Sequence, residues 1–362
     1  MEIIMNPIGF TMNKSERVVY ELKELYSRYG YSQYKMSKFE EYDLYVRNKS
    51  FLLSDNIITF TDTDGKLMAL KPDVTLSIVK NSKDRLSGLT KVYYNENVYR
   101  IPRGAHSFCE IMQAGLECIG ELDVYSVAEV IGLAAKSLAC ISDDYVLDVS
   151  DLSIISSVID GMGLSDKGRD EVLMLVGEKN LHGIDSVCTR ESVDTSAAEV
   201  LKKLISLGGE CDELCAILEN TELGGRADQF VEIVGMLKQR FGRKIRIDFS
   251  VVADMRYYNG IVFKGFVKGV PASVLSGGRY DSLMAKMGKS SGAIGFAVYL
   301  DAAAELDGDA DEYDTGVFVL YSEKSDVSNL YRLVEKMVDS GERVMTGREL
   351  PNGIRYRRLI NL

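Results

Sequence analysis

The 362-residue chain contains no tryptophan, two histidines and five prolines. It also has no uninterrupted apolar run near the ~20 residues that a helix needs to cross a bilayer. Its first residues lack the basic and apolar regions of a signal peptide. With 27% charged and 46% hydrophobic residues, the composition is that of an ordinary globular protein. We expect a cytoplasmic protein of about two or three domains.

Metal ligands are also scarce. The six cysteines and two histidines do not follow the spacing of a common zinc site. Cys211 and Cys215 would share one face of a helix, because residues four apart lie on the same side. We predict free thiols rather than disulfides, and neither a metal site nor a cofactor.

Basic residues are fewer than acidic residues. The chain has 43 lysines and arginines against 54 aspartates and glutamates, which gives a formal net charge of −11. Proteins that bind nucleic acids usually carry a basic surface, since neutralising phosphates drives much of the affinity. The charge therefore makes tRNA an unlikely partner, although it does not exclude a local basic patch.

Strand-like and helix-like segments follow one another in blocks. Strands and hairpins are predicted up to about residue 150 and again from 245 to 297, on either side of a helix-rich block at 152–242. Hairpins without regular strand–helix alternation predict an antiparallel α+β core over residues 1–303 with a helical insertion. An acidic linker at 304–314 then leads to a reduced α/β unit of strand, helix and strand at 315–362.

Three segments carry polar residues suited to a binding site. The first is Leu70-Lys-Pro-Asp-Val-Thr75, in which Asp73 and Thr75 offer a carboxylate and a hydroxyl. An ammonium group needs such acceptors, because a buried unpaired charge is costly. The structural alternative is that Pro72 ends a strand and that Asp73 or Thr75 caps the next helix.

The second segment combines Arg100 with a predicted strand at 110–119. Gln113 and Glu117 are four residues apart in that strand, so their side chains point to the same face. Gly115 lies between them, and we expect it to leave room for a ligand. The alternative is a polar row facing solvent on an edge strand.

The third segment combines Tyr257-Tyr258 with Ser276-Gly-Gly-Arg-Tyr-Asp281. A tyrosine offers a ring face and a hydroxyl that can donate or accept a hydrogen bond. The two glycines permit close approach of the backbone. The alternative is a pair of core tyrosines beside a turn.

Together the three segments resemble the histidyl-tRNA synthetase family, and above all its ATP phosphoribosyltransferase regulatory subunits. The resemblance runs from about Met12 to Ala303. It implies a class II synthetase-like antiparallel sheet flanked by helices. It also implies a histidine pocket lined by seven residues, Asp73, Thr75, Arg100, Gln113, Glu117, Tyr258 and Tyr280.

Several positions depart from the synthetase pattern. The catalytic arginine of the synthetases is matched by Ala253, the aspartate of the same motif by Arg256, and the motif 3 arginine by Ala302. Adenylate formation needs fixed positive charge around the triphosphate. The resemblance with these losses implies a subunit without synthetase chemistry.

The function implied is that of a regulatory subunit in histidine biosynthesis. It would dimerise through the class II core, assemble with the short-form catalytic subunit of ATP phosphoribosyltransferase and contribute to feedback inhibition by histidine. Two histidine sites stay open, the synthetase-like pocket and the interface with the catalytic subunit. Two rival functions also stay open, a divergent histidyl-tRNA synthetase and an orphan amino-acid-binding paralogue.

Overall fold

The computed structural model describes residues 14–52, 56–83, 88–101, 107–193, 195–207, 209, 211–218, 224–252, 257–301 and 313–362. They belong to two compact units, one spanning Ser15–Leu306 and one containing the C-terminal segment from Asp307. Most of the predicted linker at 304–314 lies outside the described residues, so the linker remains a prediction.

The described part of the larger unit contains eleven strands. In chain order they are β1 (Ser32–Gln33), β2 (Phe39–Glu41), β3 (Thr59–Thr61), β4 (Leu67–Leu70), β5 (Leu89–Arg100), β6 (Cys109–Gly120), β7 (Tyr145–Asp151), β8 (Ile245–Ile247), β9 (Ile261–Val267), β10 (Leu275–Arg279) and β11 (Gly292–Tyr299). Eight of them form one sheet in the order β1-β5-β6-β11-β10-β9-β7-β8, and β2-β4-β3 form a separate small sheet.

The larger sheet is antiparallel through its interior, as predicted, and it has a parallel strand pair at each edge. Its interior pairs are antiparallel. The pairs at its two edges, β1 with β5 and β7 with β8, are parallel. A parallel pair needs a long crossover connection, and the helical block between β7 and β8 is such a connection.

Eleven α-helices are described in this unit. They are α1 (Lys14–Arg28), α2 (Tyr42–Arg47), α3 (Thr75–Asn81), α4 (Val124–Ile141), α5 (Leu152–Gly161), α6 (Asp166–Gly177), α7 (Leu181–Glu191), α8 (Thr195–Ile205), α9 (Cys211–Leu218), α10 (Gly224–Phe241) and α11 (Asp281–Lys286). Helices α5 to α10 occupy the stretch at 152–242 that the sequence predicts to be helix-rich. The α+β class is confirmed.

Alternate side chains of β6 point to opposite faces of the large sheet. Ala114, Leu116 and Cys118 are buried in the larger core, together with residues of α1 and α4. Successive side chains of a strand point to opposite faces, so Gln113 and Glu117 face the other side, where a smaller core and a cavity lie. The predicted common face of these two residues is confirmed.

Helix α4 lies in the larger core. Asp123 caps its N-terminus in a capping box. The Asp123 carboxylate accepts a hydrogen bond from the Ser126 backbone N–H, and the Ser126 hydroxyl accepts one from the Asp123 backbone N–H. Within the described residues, α4 is the one helix long and apolar enough to cross a membrane, and 56% of it is buried inside the protein. Core packing accounts for its apolar character.

The smaller unit contains β12 (Thr315–Leu320), α12 (Val327–Asp339), β13 (Val344–Gly347) and β14 (Tyr356–Asn361). Its three strands form a parallel sheet in the order β13-β12-β14. Val317 and Val319 pack against Met337 of the helix. The predicted strand, helix and strand are present, and β14 is a further strand that the prediction omits.

Candidate functional site

A cavity of about 850 Å³ lies against the face of the sheet formed by β5, β6, β10 and β11. All seven residues of the predicted pocket line it, namely Asp73, Thr75, Arg100, Gln113, Glu117, Tyr258 and Tyr280. Pockets of roughly 300–1,000 Å³ are typical of small-molecule sites. The fold therefore brings together residues that are up to about two hundred positions apart in the chain.

Glu117 of β6 is at the centre of this site and is 2% exposed. Its carboxylate accepts a hydrogen bond from the Thr75 hydroxyl at 2.7 Å and one from the Tyr280 hydroxyl at 2.6 Å. Burial, together with the nearby Asp73 carboxyl, raises the pKa of Glu117 from 4.5 to about 8. The two hydroxyls oppose this shift without cancelling it.

Asp73 lies in the loop between β4 and α3. Its Oδ1 accepts a hydrogen bond from the Leu76 backbone at 2.8 Å, so Asp73 stabilises the first turn of α3 while its side chain lines the cavity. The capping alternative is correct for Asp73, and it does not remove the side chain from the cavity. Burial raises the pKa of Asp73, whereas the Leu76 N–H and Arg100 lower it.

Arg100 ends β5 and is 8% exposed. Its guanidinium lies over the Tyr299 ring, 5.9 Å from the ring centre. Among the described residues, no carboxylate or carbonyl forms an ion pair or hydrogen bond with it. Burying a charge without a partner costs free energy, so this guanidinium is suited to an anionic group of a ligand.

Gln113 and Gly115 differ from their predicted surroundings. Strand β6 lies between β5 and β11, so the alternative of a polar row on an edge strand is wrong, and Gln113 is buried. A Cβ at Gly115 would lie 2.6 Å from the Tyr94 hydroxyl. The expected space for a ligand above Gly115 is therefore wrong, because the Tyr94 side chain fills it.

The tyrosines form one aromatic cluster. The Tyr257 ring lies 4.7 Å from that of Tyr258 and 5.8 Å from that of Tyr280. Tyr258 is half-buried and Tyr280 is 1% exposed. A Cβ at Gly278 would lie 2.8 Å from the Tyr258 ring, so this glycine permits close approach of a ring to β10. The segment is a strand rather than the turn of the alternative reading.

Gly295 of β11 is a site residue that the sequence reasoning missed. It pairs with Glu117 across the sheet, and a Cβ at this position would overlap the Glu117 carboxylate. A glycine inside a strand often marks such a close approach. Its position between Ile294 and Phe296, in a segment predicted as a strand, was the available signal.

The departures from the synthetase pattern at Ala253, Arg256 and Ala302 lie outside the described residues and remain sequence-based predictions. Within the described residues, no group of three or more His, Cys, Asp or Glu side chains is arranged to hold a metal ion. The described cysteine side chains are free thiols, Cys109, Cys118, Cys140, Cys188 and Cys215.

The chain matches the family model for histidyl-tRNA synthetase over residues 10–303. Several similar curated proteins are named ATP phosphoribosyltransferase regulatory subunit. The protein from Caldanaerobacter subterraneus is 31% identical, over 78% of this chain and 75% of its own length. The protein from Alkaliphilus metalliredigens is 28% identical, over 77% and 73%.

Solved structures show the same fold. An ATP phosphoribosyltransferase regulatory subunit/histidyl-tRNA synthetase from Bacillus halodurans has a TM-score of 0.78 at 23% identity, covering 96% of this chain and 93% of that one. A histidyl-tRNA synthetase from Nostoc has a TM-score of 0.72 at 14% identity, covering 98% and 88%. A chain of the ATP phosphoribosyl transferase (HisG:HisZ) complex from Thermotoga maritima has a TM-score of 0.63 at 16% identity, covering 78% and 96%.

Substituting Gly295 tests whether the Glu117 carboxylate needs the space above β11. Gly295→Ala is expected to lower the free energy of unfolding by about 1–3 kcal/mol, because its methyl group overpacks the site. The matched control is Gly235→Ala in α10, where a Cβ meets nothing within 4 Å and helix propensity predicts stabilisation by about 0.5–1 kcal/mol. Urea unfolding measures both variants, and equal effects would contradict the prediction.

Proposed function

Because the chain belongs to the histidyl-tRNA synthetase family, among its ATP phosphoribosyltransferase regulatory subunits, we propose that it binds histidine and regulates a catalytic partner. As a member of that group it is the non-catalytic subunit. The condensation of ATP with phosphoribosyl pyrophosphate, the first step of histidine biosynthesis, takes place in the short-form catalytic subunit. The complex is cytoplasmic, and histidine acts as its feedback inhibitor.

The observation that carries this proposal is the charge arrangement of the cavity. The buried Arg100 guanidinium, which has no ion-pair partner among the described residues, lines the same cavity as the Asp73 and Glu117 carboxyls. A free amino acid carries one group of each sign and can satisfy both ends. Charge-assisted hydrogen bonds of this kind are about twice as strong as neutral ones.

Each part of histidine has suitable partners in the pocket. Asp73, Gln113 and Glu117 accept hydrogen bonds from the α-ammonium group, and Arg100 binds the carboxylate. Tyr258 and Tyr280 contact the imidazole. The Tyr280 hydroxyl donates to Glu117 and can still accept a hydrogen bond from a ring N–H of histidine. Arg100 thus supplies a carboxylate contact although position 253 is alanine.

The rival function of a divergent synthetase has less support. A divergent synthetase would need positive charge around ATP, and two of the expected arginine positions are Ala253 and Ala302. Histidine-dependent exchange of pyrophosphate into ATP by the purified chain would establish that rival. We leave tRNA out of the proposed partners because the chain carries a net charge of −11.

Dimerisation through the class II core is part of the proposal, and the small sheet β2-β4-β3 supports it. Phe39 and Phe60 are 43% and 37% exposed, and their rings meet edge to face at 5.4 Å. By strand register, Met68 and Leu70 lie on the same outer face. An outer face of an antiparallel sheet is normally polar. Apart from Glu41, this face is apolar, and it is therefore suited to a second copy of the chain.

Glu117→Gln is expected to weaken histidine binding by about 10- to 100-fold, because a hydrogen bond to a charged group contributes about 1.5–3 kcal/mol. Isothermal titration calorimetry measures the affinity. Glu171→Gln is the matched control, since Glu171 pairs with Arg190 on the exposed surface of the helical block. Unchanged affinity of Glu117→Gln would move the histidine site to the interface with the catalytic subunit.

Sedimentation equilibrium tests the dimer. The wild-type chain is expected to have twice the mass of one chain, and Phe60→Asp is expected to shift it to the monomer, because a buried carboxylate without a partner opposes association. Tyr125→Asp is the control, since Tyr125 is 64% exposed on α4. A Phe60→Asp variant that remains dimeric would place the interface elsewhere.

A further inference from the structure

We infer that histidine binding in this cavity releases a proton from Glu117, so that the site responds to pH as well as to histidine. This inference rests on the proposed histidine site and adds a second signal to it. It follows from what surrounds the Glu117 carboxyl on every side, and from the absence of a cation among the described groups that hold it.

The polar groups that face Glu117 are hydroxyls and one other carboxyl. They come from the loop before α3, the start of α3, β5, the segment before β9 and the residue before α11, and they are Asp73, Thr75, Tyr94, Tyr257 and Tyr280. Burial raises the pKa of each of the three tyrosines well above 10, so their hydroxyls stay neutral. On the β11 side, Gly295 contributes no side chain.

The two carboxyls, Asp73 and Glu117, differ in their partners. Asp73 accepts a backbone N–H from Leu76 and feels the positive charge of Arg100, and both favour its charged form. Glu117 has hydroxyl partners instead, and a hydroxyl can accept a hydrogen bond from a protonated carboxyl as readily as it donates one to a carboxylate. The proton of the empty site therefore resides on Glu117.

The pKa of Glu117 is about 8 before histidine binds, so most Glu117 carboxyls hold this proton at pH 7. When the α-ammonium group of histidine comes to lie beside Glu117, its positive charge favours the carboxylate. The O–H bond of the carboxyl breaks, the proton leaves to solvent, and the ammonium donates a hydrogen bond in its place. The charge of the ammonium group takes the place of the charge of the released proton, and no oxidant or further reactant is needed.

The sign of the pH dependence follows from this exchange. The pKa of Glu117 is about 8 in the empty site and lower in the occupied site, so histidine binds to the form that has lost the proton. Affinity therefore rises with pH by up to about tenfold per unit between the pKa of Glu117 in the occupied site and its pKa before histidine binds, and it falls again at the alkaline pH where the α-ammonium group of histidine loses its own proton. A fall in cytoplasmic pH would weaken histidine binding at a fixed histidine concentration.

Calorimetry at pH 7.0 in two buffers with different enthalpies of ionisation counts the protons released. We expect the wild type to release more protons per histidine than Glu117→Gln, by at most one, and the titration of the free histidine imidazole is common to both proteins. Equal proton release from the two proteins would overturn the inference while leaving the histidine site intact. Loss of release in Asp73→Asn with release retained in Glu117→Gln would assign the proton to Asp73 instead.

A second measurement covers the case in which Glu117→Gln binds too weakly for calorimetry. Carbon-13 NMR of the wild-type protein labelled at the glutamate carboxyls is expected to show one resonance that titrates near pH 8 without histidine and shifts to lower pH with it. Glutamate resonances that all titrate near pH 4.5 would overturn the inference. Absence of any histidine binding would overturn both this inference and the proposed function, and is a different result from binding without proton release.

Discussion

Two hydrogen bonds from hydroxyl groups to one buried carboxyl group hold the site together. Thr75 at the start of α3 and Tyr280 before α11 both donate to Glu117 of β6, which joins three distant parts of the chain at one point. The arrangement depends on Gly295, since a side chain on β11 would occupy the position of the carboxylate. Buried polar networks of this kind fix a geometry when every member has a partner.

The charges that line the cavity suit amino-acid binding and do not suit synthetase chemistry. The cavity presents carboxyls and hydroxyls around Glu117 and a buried guanidinium at Arg100, which suits a small zwitterion. Stabilising a reacting triphosphate requires several fixed positive charges, and the sequence has alanine at 253 and 302, where synthetases have arginine. Under the proposed function, a pocket that binds histidine without those charges would report histidine concentration to a partner.

The resemblance to the histidyl-tRNA synthetase family supplied the seven cavity-lining residues, and strand periodicity accounts for the common face of two of them. The spacing of Gln113 and Glu117 sufficed to place them together. The role of Gly115 could not be predicted, because it depends on Tyr94 across the strand pair, and cross-strand register is not encoded in the spacing of either strand alone. Strand β10 was obscured by Gly277 and Gly278, since glycine weakens strand patterns even where a packed neighbour requires it.

We propose that this chain makes a catalytic subunit active and sensitive to histidine. The most direct test is formation of phosphoribosyl-ATP by a cognate short-form catalytic subunit, with and without this chain, across a histidine titration. We expect activity that requires the chain and falls as histidine is added, with inhibition shifted to higher histidine concentration by Glu117→Gln. Activity that does not change when the chain is added would contradict it.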